Sequence, residues 1–375
     1  MSEHDTKKRE PLDFKGTVAD ALAAGLSRHG ISVVFGQSLP TALHLACRRH
    51  GIRQAWYRTE NAGGAMADGF ARISHRVSVV TAQNGPAATL LVPPLAEAFK
   101  SSVPVVALVQ EVALTQTDKN AFQEFDHLAL FASCTKWVRR LDQPSRVDDY
   151  LDMAFRAAVS GRPGPTALLL PADLLTSEWK PPEVPRQANL GTYPFTRSLP
   201  DPSLLEKAAV WLAQAERPVI IAGGGIHLSG GCRELAALQD QASLPVATTV
   251  MGKGAVDERH PLSVGVVGYF MGTGGATKFL RELIAGADVV LLVGNRTSQN
   301  DTNSWTLYPP AARYIHIDVD PLETGRNYEA LPLVGDARLT LRELRLRLQN
   351  LDPVSYTHLR AHETSLHLVC RLLLE

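Results

Sequence analysis

The chain has 375 residues, of which 45% are hydrophobic and 20% are charged, a composition typical of a globular protein of about two domains. Basic and acidic residues balance at 38 each, so no net charge favours nucleic acid or an anionic membrane as a partner. Residues 1–16 are charged and lack the apolar segment of a signal peptide, and no apolar run is long enough to span a membrane. The four cysteines show no CxxC pair and no metal-ligand spacing, so we expect free thiols in a reducing cytoplasm.

Over the first 170 residues, short apolar strands alternate with helices that carry apolar side chains on one face. This alternation is typical of α/β domains with a parallel sheet covered by helices. The predicted elements are a helix over 17–29, a strand over 31–36, a helix over 41–50, a strand over 54–58, a Gly-rich helix over 60–72, a strand over 77–82, a helix over 87–100, a strand over 103–109, a helix over 147–160 and a strand over 166–170. We predict a doubly wound domain over residues 1–180, with ligands at the carboxyl ends of its strands.

A second α/β domain is predicted beyond a proline-rich linker at residues 181–202. Its predicted elements are helices over 204–214, 231–242, 277–285 and 336–350 and strands over 218–222, 246–249, 289–293 and 314–318. They form a Rossmann-like doubly wound domain over residues 203–352. Residues 353–375 hold three of the twelve histidines but no HExxH zinc signature, and we interpret them as a disordered or artefactual tail.

Glu60 opens a helix made almost wholly of small residues, including Gly63, Gly64 and Gly69. Each glycine costs a helix about 1 kcal/mol relative to alanine. We therefore expect another helix or a flat ligand to lie against this backbone, with Glu60 as the leading functional candidate. The alternative is that Thr59 caps the helix and Glu60 only complements the helix dipole.

The series of motifs along the chain resembles that of thiamine-diphosphate enzymes of the acetolactate synthase group. The matching segments lie at 58–72, 85–89, 121–127, 136–137, 161–165, 170–173, 223–225, 252–254, 316–320 and 335–337. One such segment is a weak signal, whereas the ordered series is specific. The resemblance implies a pyrimidine-binding domain followed by the central domain of that family.

The resemblance also implies catalytic roles. Glu60 matches the glutamate that hydrogen-bonds N1′ of the cofactor's pyrimidine and promotes its imino tautomer, and burial beside an apolar ring raises the pKa of such a carboxyl group. Gly36, Asn84, Gly85 and Pro86 would also bind the cofactor, and Gln123 would reach towards the substrate-derived intermediate. The alternatives are that 85–86 form an ordinary turn and that Gln123 is a solvated loop residue.

In the second domain, the resemblance raises FAD as a further cofactor. The residues that would contact it are Gly223, Gly224, Gly225, Thr249, Gly268, Gly294, Arg296, Asp318 and Asp336. The glycine turn is not a GxGxxG motif, and the family's Arg-Phe-Asp-Asp run is Arg-Thr-Ser-Gln at 296–299. We favour the alternative that this domain keeps the fold and binds no nucleotide.

Family members end with a domain in which Gly-Asp-Gly and a downstream Asn hold Mg²⁺ and the diphosphate, and no Gly-Asp-Gly occurs here. We therefore expect no metal ligands in this chain and a truncated subunit that is inactive alone. The family relation implies a homo-oligomer (a dimer or tetramer), a 2-oxo acid substrate and a possible role in branched-chain amino acid biosynthesis. The departures at 36–40 and 85–90 leave acetolactate synthase, decarboxylase, carboligase and sulfoacetaldehyde-type lyase activities open. The alternative from another class is a non-catalytic nucleotide-binding or regulatory module of two α/β domains.

Overall fold

The computed structural model describes residues 16–181, 183–275 and 277–351, and the predicted tail at 353–375 lies outside them. The described residues form two compact units that divide between Phe195 and Thr196. We call them the N-terminal and the C-terminal unit. Within the described ranges, every helix is too short or too polar to pass through a membrane.

The N-terminal unit alternates strands and helices as predicted. Its elements are β1 (Gly16–Thr17), α1 (Val18–Arg28), β2 (Val33–Phe35), α2 (Thr41–Arg49), β3 (Arg53–Ala55), α3 (Glu60–Ser74), β4 (Ser78–Ala82), α4 (Pro86–Leu90), α5 (Val92–Ser101), β5 (Val105–Glu111), α6 (His127–Ala132), β6 (Trp137–Arg140), α7 (Val147–Val159), β7 (Thr166–Pro171), α8 (Ala172–Leu175) and β8 (Glu178–Trp179). Short 3₁₀ turns lie at Leu114–Gln116 and Pro144–Arg146.

Six of these strands form one parallel sheet in the order β3-β2-β4-β5-β7-β6, and β1 pairs antiparallel with β8. Neighbouring residues of one strand face opposite cores: Val79 packs with α1, α2 and α7, whereas Val80 packs with α3, α5 and α6. Burial on both faces explains why the central strands are continuous apolar runs.

The C-terminal unit has the same architecture. Its elements are α9 (Pro202–Ala213), β9 (Pro218–Ala222), α10 (Gly225–Ser229), α11 (Cys232–Ala242), β10 (Val246–Thr248), β11 (Ser263–Val266), α12 (Arg281–Ala285), β12 (Val289–Val293), β13 (Arg313–Asp318), β14 (Ala330–Val334) and α13 (Ala337–Gln349). Short 3₁₀ turns lie at Gly268–Met271 and Lys278–Leu280. The parallel sheet has the order β11-β10-β9-β12-β13-β14. The predicted fold class, two doubly wound α/β units, is therefore confirmed.

Two predicted helices differ from the observed ones. The helix predicted over 87–100 is split at Leu91 into α4 and α5, and Pro93 and Pro94 fall in the first turn of α5. Proline lacks the N–H that a continuous helix needs and is tolerated in a first turn. The helix predicted over 277–285 is a 3₁₀ turn followed by the short α12.

Candidate functional site

In both six-stranded sheets the strand order reverses beside the sheet's first strand, β2 or β9. In the N-terminal unit the chain passes from β2 outward to β3 and then returns to the other side of β2 to form β4. Ligands of doubly wound sheets bind in the crevice at such a switch point, outside the carboxyl ends of the strands. Gly36 directly follows β2, Glu60 starts the helix after β3, and Asn84 follows β4, so three predicted site residues lie at this edge.

Glu60 is the first residue of α3 and is half-buried. Thr59 occupies the N-cap position, but its side chain makes no capping hydrogen bond. None of the hydrogen bonds or ion pairs found among the described residues involves the Glu60 carboxylate. Burial and, to a smaller extent, the charge of Glu60 raise the pKa of the Tyr57 hydroxyl. Glu60 is thus a partly buried acid that the described fold leaves available to a ligand.

The glycines of α3 leave room for other residues of this chain to pack against the helix backbone. A Cβ on Gly63 would overlap the ring of Tyr57, and a Cβ on Gly64 would overlap Pro94 of α5. Tyr57 is buried, and its hydroxyl donates a 2.6 Å hydrogen bond to the carbonyl of Thr81. The close approach predicted from the glycines is therefore made by an aromatic ring and by a neighbouring helix.

Gly36 and Gln37 follow β2, and the Gln37 side chain contacts residues that precede Glu60. A Cβ on Gly36 would overlap Thr81 Oγ1 and lie 2.7 Å from His44 Nε2, so only glycine fits. Burial lowers the pKa of His44 to about 4. The Gln37 side-chain amide donates to the carbonyls of Tyr57 (3.2 Å) and Arg58 (2.6 Å).

The turn after β4 and the loop bearing Gln123 are in direct contact. The Asn84 side chain donates to the carbonyls of Phe122 and Gln123, both at 3.0 Å, and the Gln83 amide donates to Gln123 Oε1 at 2.9 Å. Gly85 has φ +64°, and a Cβ there would lie 2.7 Å from the Cβ and carbonyl oxygen of Gln123. Gln123 is half-buried and is held by these contacts.

Pro86 is the first residue of α4, where its missing N–H costs no hydrogen bond. The structure therefore joins Asn84, Gly85 and Gln123 directly, and it connects Gly36 to the start of α3 through Gln37 and Tyr57.

A buried polar cluster beneath the Gly85 turn was not predicted. The Gly85 N–H donates to His127 Nε2 at 2.9 Å, and His127 Nδ1 lies 3.0 Å from Glu111 Oε1. Arg140 makes two further contacts with Glu111, one of them from Nη2 to Oε1 at 3.1 Å. Burial raises the pKa of Glu111, but the hydrogen bonds from His127 and Arg140 outweigh it and hold that pKa below its usual range.

The cluster borders a shallow pocket that is also lined by Val112, Leu114 and Phe125. His127 lies within the matched segment at 121–127, but apart from its polar side chain nothing in the sequence distinguished it as a site residue. Glu111 was missed because it ends an apolar strand that we predicted to stop at residue 109.

In the C-terminal unit, the predicted glycines meet at the switch point between β9 and β12. A Cβ on Gly223 or Gly225 would collide with the backbone of Gly294, which has φ +54°, and the Gly225 N–H donates to the Gly294 carbonyl at 3.0 Å. A Cβ on Gly268 would overlap the carbonyl of Asn300. Close backbone packing within the unit thus explains most of these glycines.

The polar residues predicted for FAD are also used within the unit. Asp336 caps α13 by accepting the Leu339 N–H (3.0 Å), and its other carboxylate oxygen accepts Arg197 Nη1 (2.7 Å) and Ser229 Oγ (2.9 Å). Asp318 accepts the N–H of Asp320, and Thr249 Oγ1 accepts that of Gly252. The remaining two residues, Gly224 and the half-buried Arg296, lie at the same edge. We assign no step to FAD from these contacts.

No cluster of three or more His, Cys, Asp and Glu side chains that could hold a metal ion occurs within the described ranges.

Comparison with known families identifies both units. Residues 16–130 match the family described as "thiamine pyrophosphate enzyme, N-terminal TPP binding domain", and residues 205–344 match "thiamine pyrophosphate enzyme, central domain". The first match includes Gly36, Glu60, Gly85 and Gln123.

Similar proteins carry acetolactate synthase names. The chain is 37% identical over 330 residues to the "probable acetolactate synthase large subunit" of Methanocaldococcus jannaschii. The alignment covers 87% of this chain and 55% of that protein. The chain is 34% identical over 337 residues to the "acetolactate synthase" of Arthrospira platensis (88% and 58%) and 33% identical over 332 residues to the "acetolactate synthase isozyme 3 large subunit" of Escherichia coli (87% and 57%). The chain thus matches somewhat more than half the length of these relatives.

Proposed function

The chain belongs to the thiamine pyrophosphate enzymes, and on that premise we propose that it acts in thiamine-diphosphate-dependent carboligation or decarboxylation of a 2-oxo acid, of the acetolactate synthase type. The observation that carries this proposal is the half-buried Glu60 carboxylate, which starts α3 at the switch point without a partner among the described residues. A half-buried carboxylate without a partner at such a switch point suits proton exchange with a ligand.

We assign residues 1–180 to a pyrimidine-binding domain, 203–352 to a central α/β domain and 181–202 to the connection between them. The family matches at 16–130 and 205–344 support the two assignments, since each falls within one of the proposed domains. We propose that Mg²⁺ and the diphosphate are held by residues other than those described.

Bound thiamine diphosphate supplies the electron sink for the chemistry at the 2-oxo acid. Glu60 would hold the cofactor at the pyrimidine N1′ and would exchange a proton there through its carboxylate. The rigid turn at Asn84–Pro86 presents backbone to the cofactor, and Gln123, fixed against Gly85, orients the bound substrate. Each of these side chains or turns is held by contacts within the unit, so little reorganisation is needed when ligands bind.

We propose further that the chain forms a homo-oligomer. Met66, Phe70 and Ile73 lie along one face of α3 and are 39%, 37% and 86% exposed, a pattern that supports burial against a second copy. Analytical ultracentrifugation tests this: Ile73→Glu should shift the chain towards monomer, and a wild-type monomer at micromolar concentration would contradict the proposal.

FAD is tested separately. A protein that purifies colourless and takes up no added FAD would leave the central unit without this cofactor, whereas stoichiometric FAD would place the protein with the flavin-containing members of the group.

The decisive experiment combines calorimetric titration of thiamine diphosphate with Mg²⁺ and a pyruvate-consumption assay, both on the chain together with the residues that we propose hold Mg²⁺ and the diphosphate. We expect binding and turnover in the wild type and a loss of turnover of about 10²–10⁴-fold in Glu60→Gln. Glu97→Gln, on an exposed side chain of the same unit, is the matched control and should keep full activity. Binding without turnover of any 2-oxo acid would favour a regulatory module.

A further inference from the structure

The cluster of Arg140, Glu111 and His127 connects the ends of two strands and the start of a helix to one backbone amide. Glu111 ends β5, Arg140 ends β6, and His127 starts α6, directly after the loop that bears Gln123. His127 is 1% exposed and Glu111 is 4% exposed. The Gly85 N–H that His127 accepts belongs to the turn after β4.

The geometry fixes the state of the imidazole. A backbone N–H can only donate, so His127 Nε2 must carry a lone pair towards Gly85. The ring proton then lies on Nδ1 and is donated to the Glu111 carboxylate. Arg140 in turn holds that carboxylate, so the ring can neither rotate nor exchange its two nitrogens without losing a buried hydrogen bond.

The restraint that His127 places on the Gly85 turn extends to Gln123. Gly85 packs directly against the Cβ and carbonyl of Gln123, whose own φ is +59°, a strained value for a residue with a side chain. Strain of this kind persists only where neighbouring contacts over-determine the conformation. Asn84 supplies two of those contacts from one side, and His127 fixes the adjacent amide from the other.

We propose that His127, oriented by Glu111 and Arg140, is a positioning residue that holds the Gly85 turn and Gln123 in the geometry required for catalysis. This inference rests on the proposed thiamine-dependent function for its catalytic part. The contact between His127 and Gly85 stands independently of it.

The test compares His127→Gln with His127→Leu. The glutamine amide offers an acceptor and a donor at the spacing of the two ring nitrogens, whereas leucine offers neither. His29→Leu is the matched control, because His29 is also buried in the N-terminal unit and also bonds a carboxylate (Asp152, 2.8 Å) but makes no contact with Gly85. All variants are first compared by thermal unfolding.

The first readout is amide hydrogen exchange at Gly85 in the cofactor-free protein. We expect exchange about tenfold faster in His127→Leu, the effect of losing one well-made hydrogen bond, and near wild type in His127→Gln and His29→Leu. Unchanged protection of Gly85 in His127→Leu would overturn the proposed clamp.

The second readout is the division of the effect between kcat and KM with thiamine diphosphate and a 2-oxo acid. We expect kcat to fall about tenfold in His127→Leu with a smaller change in KM, and to be restored in His127→Gln. Faster Gly85 exchange with an unchanged kcat would overturn the positioning role alone. A wild-type protein that binds no thiamine diphosphate would overturn the proposed function and the catalytic part of this inference, while the exchange data would still report on the clamp.

Discussion

Replacing Gly63 by alanine tests why α3 is rich in glycine. Alanine is favoured over glycine by about 1 kcal/mol in a helix interior. Here, however, the new Cβ would overlap two ring carbons of Tyr57 and lie 2.8 Å from a third. That ring is 7% exposed and anchored at its far end by the hydrogen bond to Thr81, so it cannot swing away freely.

Overpacking of this kind costs about 1–3 kcal/mol, which outweighs the gain in helix propensity. After the gain of about 1 kcal/mol in helix propensity is subtracted, we expect Gly63→Ala to lower the free energy of unfolding by up to about 2 kcal/mol. Gly69→Ala in the same helix is the control, because a Cβ there meets no atom within 4 Å and should stabilise the protein by up to about 1 kcal/mol. Urea unfolding followed by circular dichroism measures both. A Gly63→Ala variant as stable as Gly69→Ala would refute the account of the Tyr57 contact.

Two further predictions concern stability in each unit. Buried His44 has a pKa of about 4 when folded and about 6.5 when unfolded, so the unfolded state binds the extra proton in between and stability falls as the pH drops through that window. Between pH 7.5 and pH 5 the wild type should lose about 2 kcal/mol of its free energy of unfolding through His44, and His44→Gln should lack this part of the loss. Urea unfolding at the two pH values measures the difference, and an unchanged pH dependence in the variant would contradict the prediction. Asp336→Ala should lower the stability of the C-terminal unit by about 1–2 kcal/mol, because it removes the cap of α13 and the carboxylate partner of Arg197. Asp336→Asn keeps the acceptor for the cap and should lose less in thermal unfolding, so equal losses would argue against a capping role.

The buried central strands were predictable because burial on both faces demands unbroken apolar runs. Pro218–Ala222 and Val289–Val293 were predicted with the observed bounds. The edge strands Trp137–Arg140 and Ala330–Val334 were missed because both are short and partly exposed, and Arg139 and Arg140 end the apolar run of the first. Proline at 332 also lowered the strand signal at the second edge.

Much of the candidate site followed from local patterns, and the rest depends on tertiary contacts. The start of α3 at Glu60 was predictable because Thr59 and the small residues mark a helix N-terminus. The contacts of Glu111, His127 and Arg140 were not predictable, because two strands and a helix that are separate in the sequence bring these residues together. Likewise, no local pattern shows that Tyr57 fills the space above Gly63.

The role of Glu60 is tested most directly by the exchange of the thiazolium C2 proton of bound thiamine diphosphate for deuterium, measured by quenched-flow NMR. This readout isolates proton exchange at the cofactor from every later step with substrate. We predict that Glu60→Gln slows the exchange by about 10²–10⁴-fold at saturating cofactor, whereas Glu97→Gln leaves it unchanged. A wild-type exchange rate in Glu60→Gln with cofactor bound would contradict the account.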